Sequence, residues 1–269
     1  MSRYERDYLS LLDRLLSAPV RMDRTGVGTH GLFGVQLDID VREGFPLLTT
    51  KKVHFKSILY ELFWFLRAET NIHYLHKHGV TIWDEWADGN GDLGPIYGYQ
   101  WRRWKGYNGE EYDQLGAVIK SLRENPYSRR LLVSAWNVAH LAEMKLPPCH
   151  VMFQFYAEPA EKLLSIQVYQ RSADAFLGLP FNVASYALLL HLVARLTGYE
   201  PYRVVFALGD VHLYLNHEEQ ARLQLTRPPY PLPRIEISRT YSELDEIAPE
   251  DIRLVDYKHH PPIPAPVAV

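Results

Sequence analysis

Only one cysteine, Cys149, stands among the 269 residues. No internal disulfide can brace this chain, so burial and hydrogen bonding must hold the fold. The length suits one large domain or two small ones with a substantial core. No internal repeat or low-complexity linker divides it, which predicts a single domain over 1–269. Apolar residues at Tyr8, Leu12, Leu15 and Leu16 have helical spacing, so Tyr4 to Ala18 reads as a helix, with Pro19 after its end. Phe55 to Leu66 is apolar nearly all round and predicts a buried helix. Val35, Leu37, Ile39 and Val41 alternate with polar residues as in a half-buried strand. Arg130 to Trp136 reads as another strand. Val151 to Tyr156 and Leu164 to Tyr169 alternate around Glu158-Pro159-Ala160-Glu161 and predict a hairpin. Val183 to Thr197 is a strong apolar helix stopped by Gly198. Val204 to Leu208 follows as a strand and Glu218 to Leu225 as a short helix. The proline-rich tail from Pro261 is stiff and extended. Irregular alternation with hairpins predicts an α+β (mixed α/β) architecture rather than a doubly wound parallel sheet.

Lys and Arg number 29 against 32 Asp and Glu, a formal net charge of -3. That balance gives no bulk attraction to nucleic acid or to an anionic membrane. No apolar run reads as long enough to span a bilayer, and the charged start, Met1 to Asp7, lacks a signal-peptide core. The expectation is a soluble cytoplasmic protein without a membrane partner. Aromatic residues make up 13%, which suits a deep core and stacking surfaces for a planar ligand.

Two motifs are decoys. Gly26-Val27-Gly28-Thr29-His30-Gly31 matches the dinucleotide fingerprint literally, but that fingerprint needs a strand before it and a helix after it. Here a helix precedes and a strand follows. His73, His76 and His78 have no cysteine or clear carboxylate at ligand spacing, so no metal is expected.

Cys149 sits in Leu146-Pro147-Pro148-Cys149-His150. Most free cysteines are small buried hydrophobes, but a thiol near cations is a candidate nucleophile. Cations are available. Asp23-Arg24-Thr25, Arg129-Arg130 and Arg171-Ser172-Ala173-Asp174 carry four arginines and a serine, the chemistry of a phosphate-dianion site. Taken singly, each arginine is as well explained by surface charge or ion pairing. Asn182 could cap a helix, and its amide also complements an imide edge such as uracil. Glu61, inside an apolar helix, should have a raised pKa and could serve as acid or base, or simply be hydrogen-bonded structure.

Further motifs join these in order: Phe45 to Lys51, Ile82-Trp83-Asp84-Glu85-Trp86, Gly94-Pro95-Ile96-Tyr97-Gly98 and Ser128-Arg129-Arg130. Next come Tyr169-Gln170-Arg171-Ser172, Phe176 to Asn182, Gly209-Asp210-Val211-His212-Leu213-Tyr214 and the terminal Ala265 to Val269. Together they resemble the thymidylate synthase family, from about the first helix to the last residue. Ala173 departs from many members, which have a second cysteine there. The segment between Trp104 and Asp113 is short, so the long insertion of some members is absent.

The resemblance implies a large mixed, mostly antiparallel sheet flanked by helices, with a sheet face at a homodimer interface. It also implies a methyltransferase that converts dUMP to dTMP with 5,10-methylenetetrahydrofolate as one-carbon donor and reductant, releasing dihydrofolate. Carried over, the catalytic set is Cys149, Glu61, Tyr97, Arg171 and Asp174. Cys149 adds to C6 of uracil, Arg171 favours its thiolate, Glu61 moves protons near O4, and Tyr97 assists removal of the C5 proton. Nucleotide contacts fall to Arg24, Arg171, Ser172, Asp174, Asn182, His212 and Tyr214, with Arg129 and Arg130 reaching in from the other subunit. The folate falls to His54, Trp83, Trp86 and Asp174, with the tail at Ala268 closing over it. The nearest alternative is a deoxycytidylate hydroxymethylase, which typically has Asp where Asn182 stands. No RNP, KH or helix-turn-helix pattern supports nucleic-acid binding as the main role, and RNA binding as a secondary property stays open.

Overall fold

A computed structural model describes residues 1–267. In chain order the elements are α1 (Arg3–Leu16), β1 (Val20–Arg21), β2 (Thr29–Asp40), α2 (Phe55–Leu66), α3 (His73–Lys77) and α4 (Gly98–Arg103). There follow β3 (Trp104–Lys105), β4 (Glu111–Tyr112), α5 (Gln114–Glu124), β5 (Leu132–Ser134), β6 (His150–Glu158) and β7 (Leu163–Asp174). The chain continues through α6 (Gly178–Thr197), β8 (Glu200–Tyr214), α7 (Glu218–Leu225), β9 (Arg234–Ile237) and β10 (Ile252–Val255). Six strands form one sheet in the order β1-β2-β8-β7-β6-β5. Every pairing in it is antiparallel except β7 with β8, the pair that α6 connects. The fold is thus α+β with a mixed, mostly antiparallel sheet, as the chain's patterning and its resemblance predict.

The strongly patterned elements form where expected. Helix α2 covers Phe55–Leu66 and α7 covers Glu218–Leu225. Helix α1 starts at the Ser2 cap, whose hydroxyl accepts from Glu5 N, and its buried Glu5 carboxyl then accepts from Thr49 N, Thr49 Oγ1 and Thr50 N. That contact fastens the Phe45–Lys51 segment to the first helix. The predicted strand at Arg130–Trp136 shrinks to Leu132–Ser134.

Three strands run further than their alternation suggests, and glycine is the reason. The register passes from Val35 and Leu208 to Phe33 and Asp210, leaving Gly34 and Gly209 between them. On the other side it passes from Gln170 and Leu208 to Ser172 and Asp210, leaving Arg171 beside Gly209. In β6 the register shifts between His150 and Met152. The two gaps in the ladder lie beside this bulge, and the bulge bends the sheet there. A Cβ on Gly209 would lie 2.9 Å from the Arg171 carbonyl oxygen, so only glycine admits this close approach. Gly209 therefore marks a bend rather than the end of a strand at Leu208.

Helix α6 begins earlier than expected, at Gly178, and packs on β7 and β8. By length and apolar composition alone it could cross a bilayer, an exception to the reading that no run is long enough, but most of it is buried inside the protein. Gly26 and Gly28, both at positive φ, shape the turn between β1 and β2. The element just before the glycine motif is thus the short strand β1, not a helix, because Val20 and Arg21 pair with His30 and Thr29. A strand still follows, so the dinucleotide context is missing.

The sheet face away from the helices carries Leu132, Met152, Tyr156, Tyr169 and Phe33, of which Phe33 is 83% and Tyr156 64% exposed. Register aligns Leu132, Gln154, Gln167, Val205 and Asp38 across five strands on that face. Such an apolar, aromatic sheet face is unusual for a monomer.

Candidate active site

The bend in the sheet brings the chemistry together. Cys149 is half-buried in the last position before β6. Its backbone N–H donates to the Tyr97 hydroxyl at 2.8 Å, and its carbonyl accepts from Arg171 N at 2.8 Å. The Arg171 guanidinium donates through Nε to the Pro148 carbonyl and through Nη2 to the Pro147 carbonyl, at 2.9 and 3.0 Å. It also lies 5.4 Å from the Trp136 ring centre. Burial pushes the Cys149 thiol above its ordinary range; Arg171 opposes this most, then Tyr97 and Arg24, while Asp174 adds to the rise.

Arg171 also lines a cavity of about 300 Å³, together with Arg21, Arg24, Ser172, His212 and Tyr214 among others. Asp23 holds the turn that carries Arg24 by accepting from Thr25 Oγ1 and Gly28 N. Asp174 is paired with His212 and Ser172 with Asp210 across β7 and β8, and Thr29 with Tyr214 across β2 and β8. His212 Nδ1 lies 3.0 Å from Asp210 Oδ1, and its ring meets Tyr214 edge-on. Burial, then Asp174 and Asp23, push Tyr214 up to about 12. A larger cavity of about 510 Å³ lies between α2, α3 and Pro249–Glu250, away from Cys149.

An aromatic wall closes the other side. Glu61, 8% exposed on α2, accepts from Trp83 Nε1 at 2.7 Å. Burial raises its carboxyl from 4.5 to about 7, against the Trp83 hydrogen bond. Trp83 packs on Trp86 and Tyr97, with centroids 5.6 and 5.9 Å apart. Tyr97 is buried at φ 30°, ψ -94°, a strained conformation for a non-glycine residue. Gly98, next to it, lies so close to Phe65 that a Cβ would be 2.1 Å from the carbonyl oxygen. Tyr97 stacks on His150 at 4.1 Å, and His150 Nδ1 lies 2.7 Å from the Tyr186 hydroxyl. Burial drives His150 down to about 3, so its ring is neutral at physiological pH.

A family model for thymidylate synthase matches residues 6–269. The chain belongs to the thymidylate synthase family. Membership makes it a methyltransferase of dTMP biosynthesis.

Against the residues expected of a thymidylate synthase, the placement is uneven. Cys149, Arg24, Arg171, Ser172, His212 and Tyr214 meet at the bend, and Glu61, Trp83, Trp86 and Tyr97 share the aromatic wall. Arg129 and Arg130 are exposed and do not line the cavity of their own chain. Asn182 does not cap a helix; because α6 starts at Gly178, it lies in the second turn, where its Oδ1 accepts from Gln170 Nε2 at 3.1 Å. Gln170 also donates to the Ser172 carbonyl, which fixes which end of each amide faces the other. Asp174 Oδ1 accepts from Phe176 N and Leu177 N at the entry to α6. His54 is exposed and its Nδ1 meets Ser57 Oγ at 2.8 Å. Ala268 lies outside the described residues. Of the three histidines weighed as metal ligands, His76 meets Asp84 and His78 stacks on Tyr60. Among the described residues no group of three or more His, Cys, Asp or Glu is arranged for a metal.

Sequence reasoning gave no individual role to Arg21, Gln170, Trp136, Tyr186 and Lys51, although Gln170 lies inside a motif. Arg21 flanks one of the motifs, and Lys51 ends another. Lys51 is buried with Nζ 3.4 Å from the Phe176 ring centre, and burial lowers it to about 7.

Glu61 carries a pH-dependent cost. Its folded pKa lies above the unfolded one, so the native state loses stability as pH rises from 4.5 to about 7. Glu61→Gln keeps an acceptor for Trp83. It should match wild type near about pH 4 and exceed it at about pH 8 by up to roughly 3 kcal/mol. Urea denaturation at the two pH values measures this; a difference that does not widen with pH would contradict burial as the cause.

Proposed function

We propose that the protein catalyses reductive methylation of dUMP to dTMP with 5,10-methylenetetrahydrofolate. The observation that carries this reading is that Arg171, which binds the Cys149 carbonyl through its backbone N–H and favours the Cys149 thiolate, also lines a cavity with Arg24 and Ser172. A phosphate dianion in that cavity meets guanidinium donors. The nucleotide sugar then falls toward His212 and Tyr214, and its base toward Cys149 and Asn182. The Asn182 oxygen has a second lone pair for a uracil N3–H while its NH₂ donates to O4. Cys149 Sγ adds to C6, which makes C5 nucleophilic toward the one-carbon unit; the folate supplies that unit and the hydride that completes the methyl group, and as the hydride arrives the Sγ–C6 bond breaks and frees dTMP and the Cys149 thiolate. Glu61, near neutrality, exchanges protons with the O4 side of the ring. Tyr97 has its pKa pushed well above 10 by burial, so it works as a neutral relay for the C5 proton rather than as a phenolate base. Trp83 and Trp86 give the folate rings an aromatic wall, with His54 and Asp174 at its edges and the tail through Ala268 excluding water. The orientation that Gln170 imposes on Asn182 supports uracil over the cytosine of a hydroxymethylase.

The assembly proposed is a homodimer through the exposed sheet face. Leu132, Met152, Tyr156 and Tyr169 give that face the apolar area an isologous contact needs. Arg129 and Arg130, free of their own cavity, are then available to the partner's phosphate site.

The direct test is a spectrophotometric assay with dUMP and methylenetetrahydrofolate. Dihydrofolate and dTMP should appear. Cys149→Ser should lower turnover by at least about a thousandfold while leaving nucleotide binding within a few fold. With 5-fluoro-dUMP and the folate, mass spectrometry should find a covalent adduct on the Cys149 peptide. An adduct elsewhere, or turnover of dCMP in preference to dUMP, would overturn the reading.

Shared sites have their own test. An Arg129→Ala, Arg130→Ala double variant and a Cys149→Ser variant should each be almost inactive. Each mixed dimer keeps one intact site, so refolding the two together should restore about half of wild-type activity per mixed dimer. Mixed dimers recovered by a tag yet inactive would place the arginines in their own subunit's site.

A further inference from the structure

His217 is fully buried between β8 and α7. Its ring centre lies 5.6 Å from that of Phe176 and 5.6 Å from that of Tyr214. Its Nε2 lies 2.7 Å from the Pro266 carbonyl oxygen. A carbonyl only accepts, so Nε2 carries the hydrogen and donates. Nδ1 is buried with no partner among the described residues. A buried polar atom left unpaired is costly, so the ring is set for Pro266 at the expense of Nδ1.

The tail needs such a donor. Pro261, Pro262, Pro264 and Pro266 have no N–H, and their fixed φ makes the segment stiff. Its place is therefore set by what donates to its carbonyls. Arg227 Nη1 holds the Pro261 carbonyl at 2.7 Å and the Thr50 carbonyl at 3.0 Å. His260 N donates to Thr49 O, and Ile263 is buried. These contacts hold the segment's near end. His217 holds its far end, through a ring that also packs on the sugar-side Tyr214.

We infer that His217 is a positioning residue: its Nε2–H fixes the carboxyl-terminal segment at Pro266 and sets that segment's register against the nucleotide strand. The inference rests on the proposed role of the tail in closing over the folate. One ring then links the strand that carries His212 and Tyr214 to the segment that shields the folate. Nucleotide binding does not need this link; folate binding and turnover do.

The test compares His217→Leu and His217→Gln in the 269-residue chain. A Gln side chain can place an N–H near the same carbonyl, and Leu cannot. Release of Val269, Ala268 and Val267 by a carboxypeptidase should be about tenfold faster in His217→Leu, the effect of losing one hydrogen bond. Its folate KM should rise and its kcat fall, together by about tenfold in kcat/KM, with the dUMP Kd within about twofold of wild type. His217→Gln should restore both within about threefold. Wild-type release and kinetics in His217→Leu would overturn the inference, as would a Gln variant as impaired as Leu. Nitrogen-15 spectra of wild-type His217 test the latch even if the Leu variant does not fold: Nε2 must carry the hydrogen, and an Nδ1–H ring refutes the latch. Carboxypeptidase release needs no turnover, so it judges the latch separately from the proposed reaction.

Discussion

The site depends on how Arg171 is held. Its backbone N–H binds the Cys149 carbonyl, while Nε and Nη2 bind the carbonyls of Pro148 and Pro147. The same residue thus fastens the loop before β6 to β7 and puts a cation beside the thiol. Three chain segments converge on it: the Pro147–Cys149 loop, the bent strand β7, and Gly209 of β8, which must lack a Cβ because the Arg171 carbonyl occupies that space. The charge that the proposed chemistry uses is therefore built into the sheet rather than carried by a surface side chain. Guanidinium suits this double duty, since a lysine offers no planar fork for two carbonyls.

Burial sorts the remaining titratable groups. Glu61 and Lys51 are both brought to about 7, from opposite directions, whereas His150 is driven to about 3 and stays neutral. A carboxyl that can both hold and release a proton near neutrality is useful beside a pyrimidine, and it is unfavourable for folding once ionised. The strained backbone at Tyr97 is a second such cost, kept in place by the close contact of Gly98 with Phe65. Both sit at the proposed reacting centre, and both are surrounded by rigid aromatic packing that keeps them from relaxing.

Much of the fold and the site is legible in the chain. The bounds of α2 and α7 follow from periodicity and composition, and the β6–β7 hairpin from alternation around its polar turn. Glycine misleads in two places, because strands run on through Gly34 and Gly209 where local pattern would end them. Asn182 falls on the expected element with a different local role, since α6 begins at Gly178 before its apolar periodicity becomes strong. The partners that define the site are invisible in the sequence for a physical reason. Gln170 on Asn182, Tyr186 on His150 and Trp136 on Arg171 are contacts made by tertiary packing, and no local spacing encodes them. Cys149, Arg24, Arg171, His212 and Tyr214 can be named because each lies in an ordered motif, but only the bend in the sheet explains why they meet.

The central claim is that Arg171 offsets the effect of burial on the Cys149 thiol. The pH dependence of Cys149 alkylation by iodoacetamide measures that directly, since Cys149 is the sole thiol. Arg171→Met should move the alkylation midpoint to higher pH and slow the reaction at neutral pH by about tenfold, whereas Arg171→Lys, which keeps the charge but cannot hold both carbonyls, should fall between the two. A midpoint unchanged in a folded Arg171→Met protein would contradict that claim.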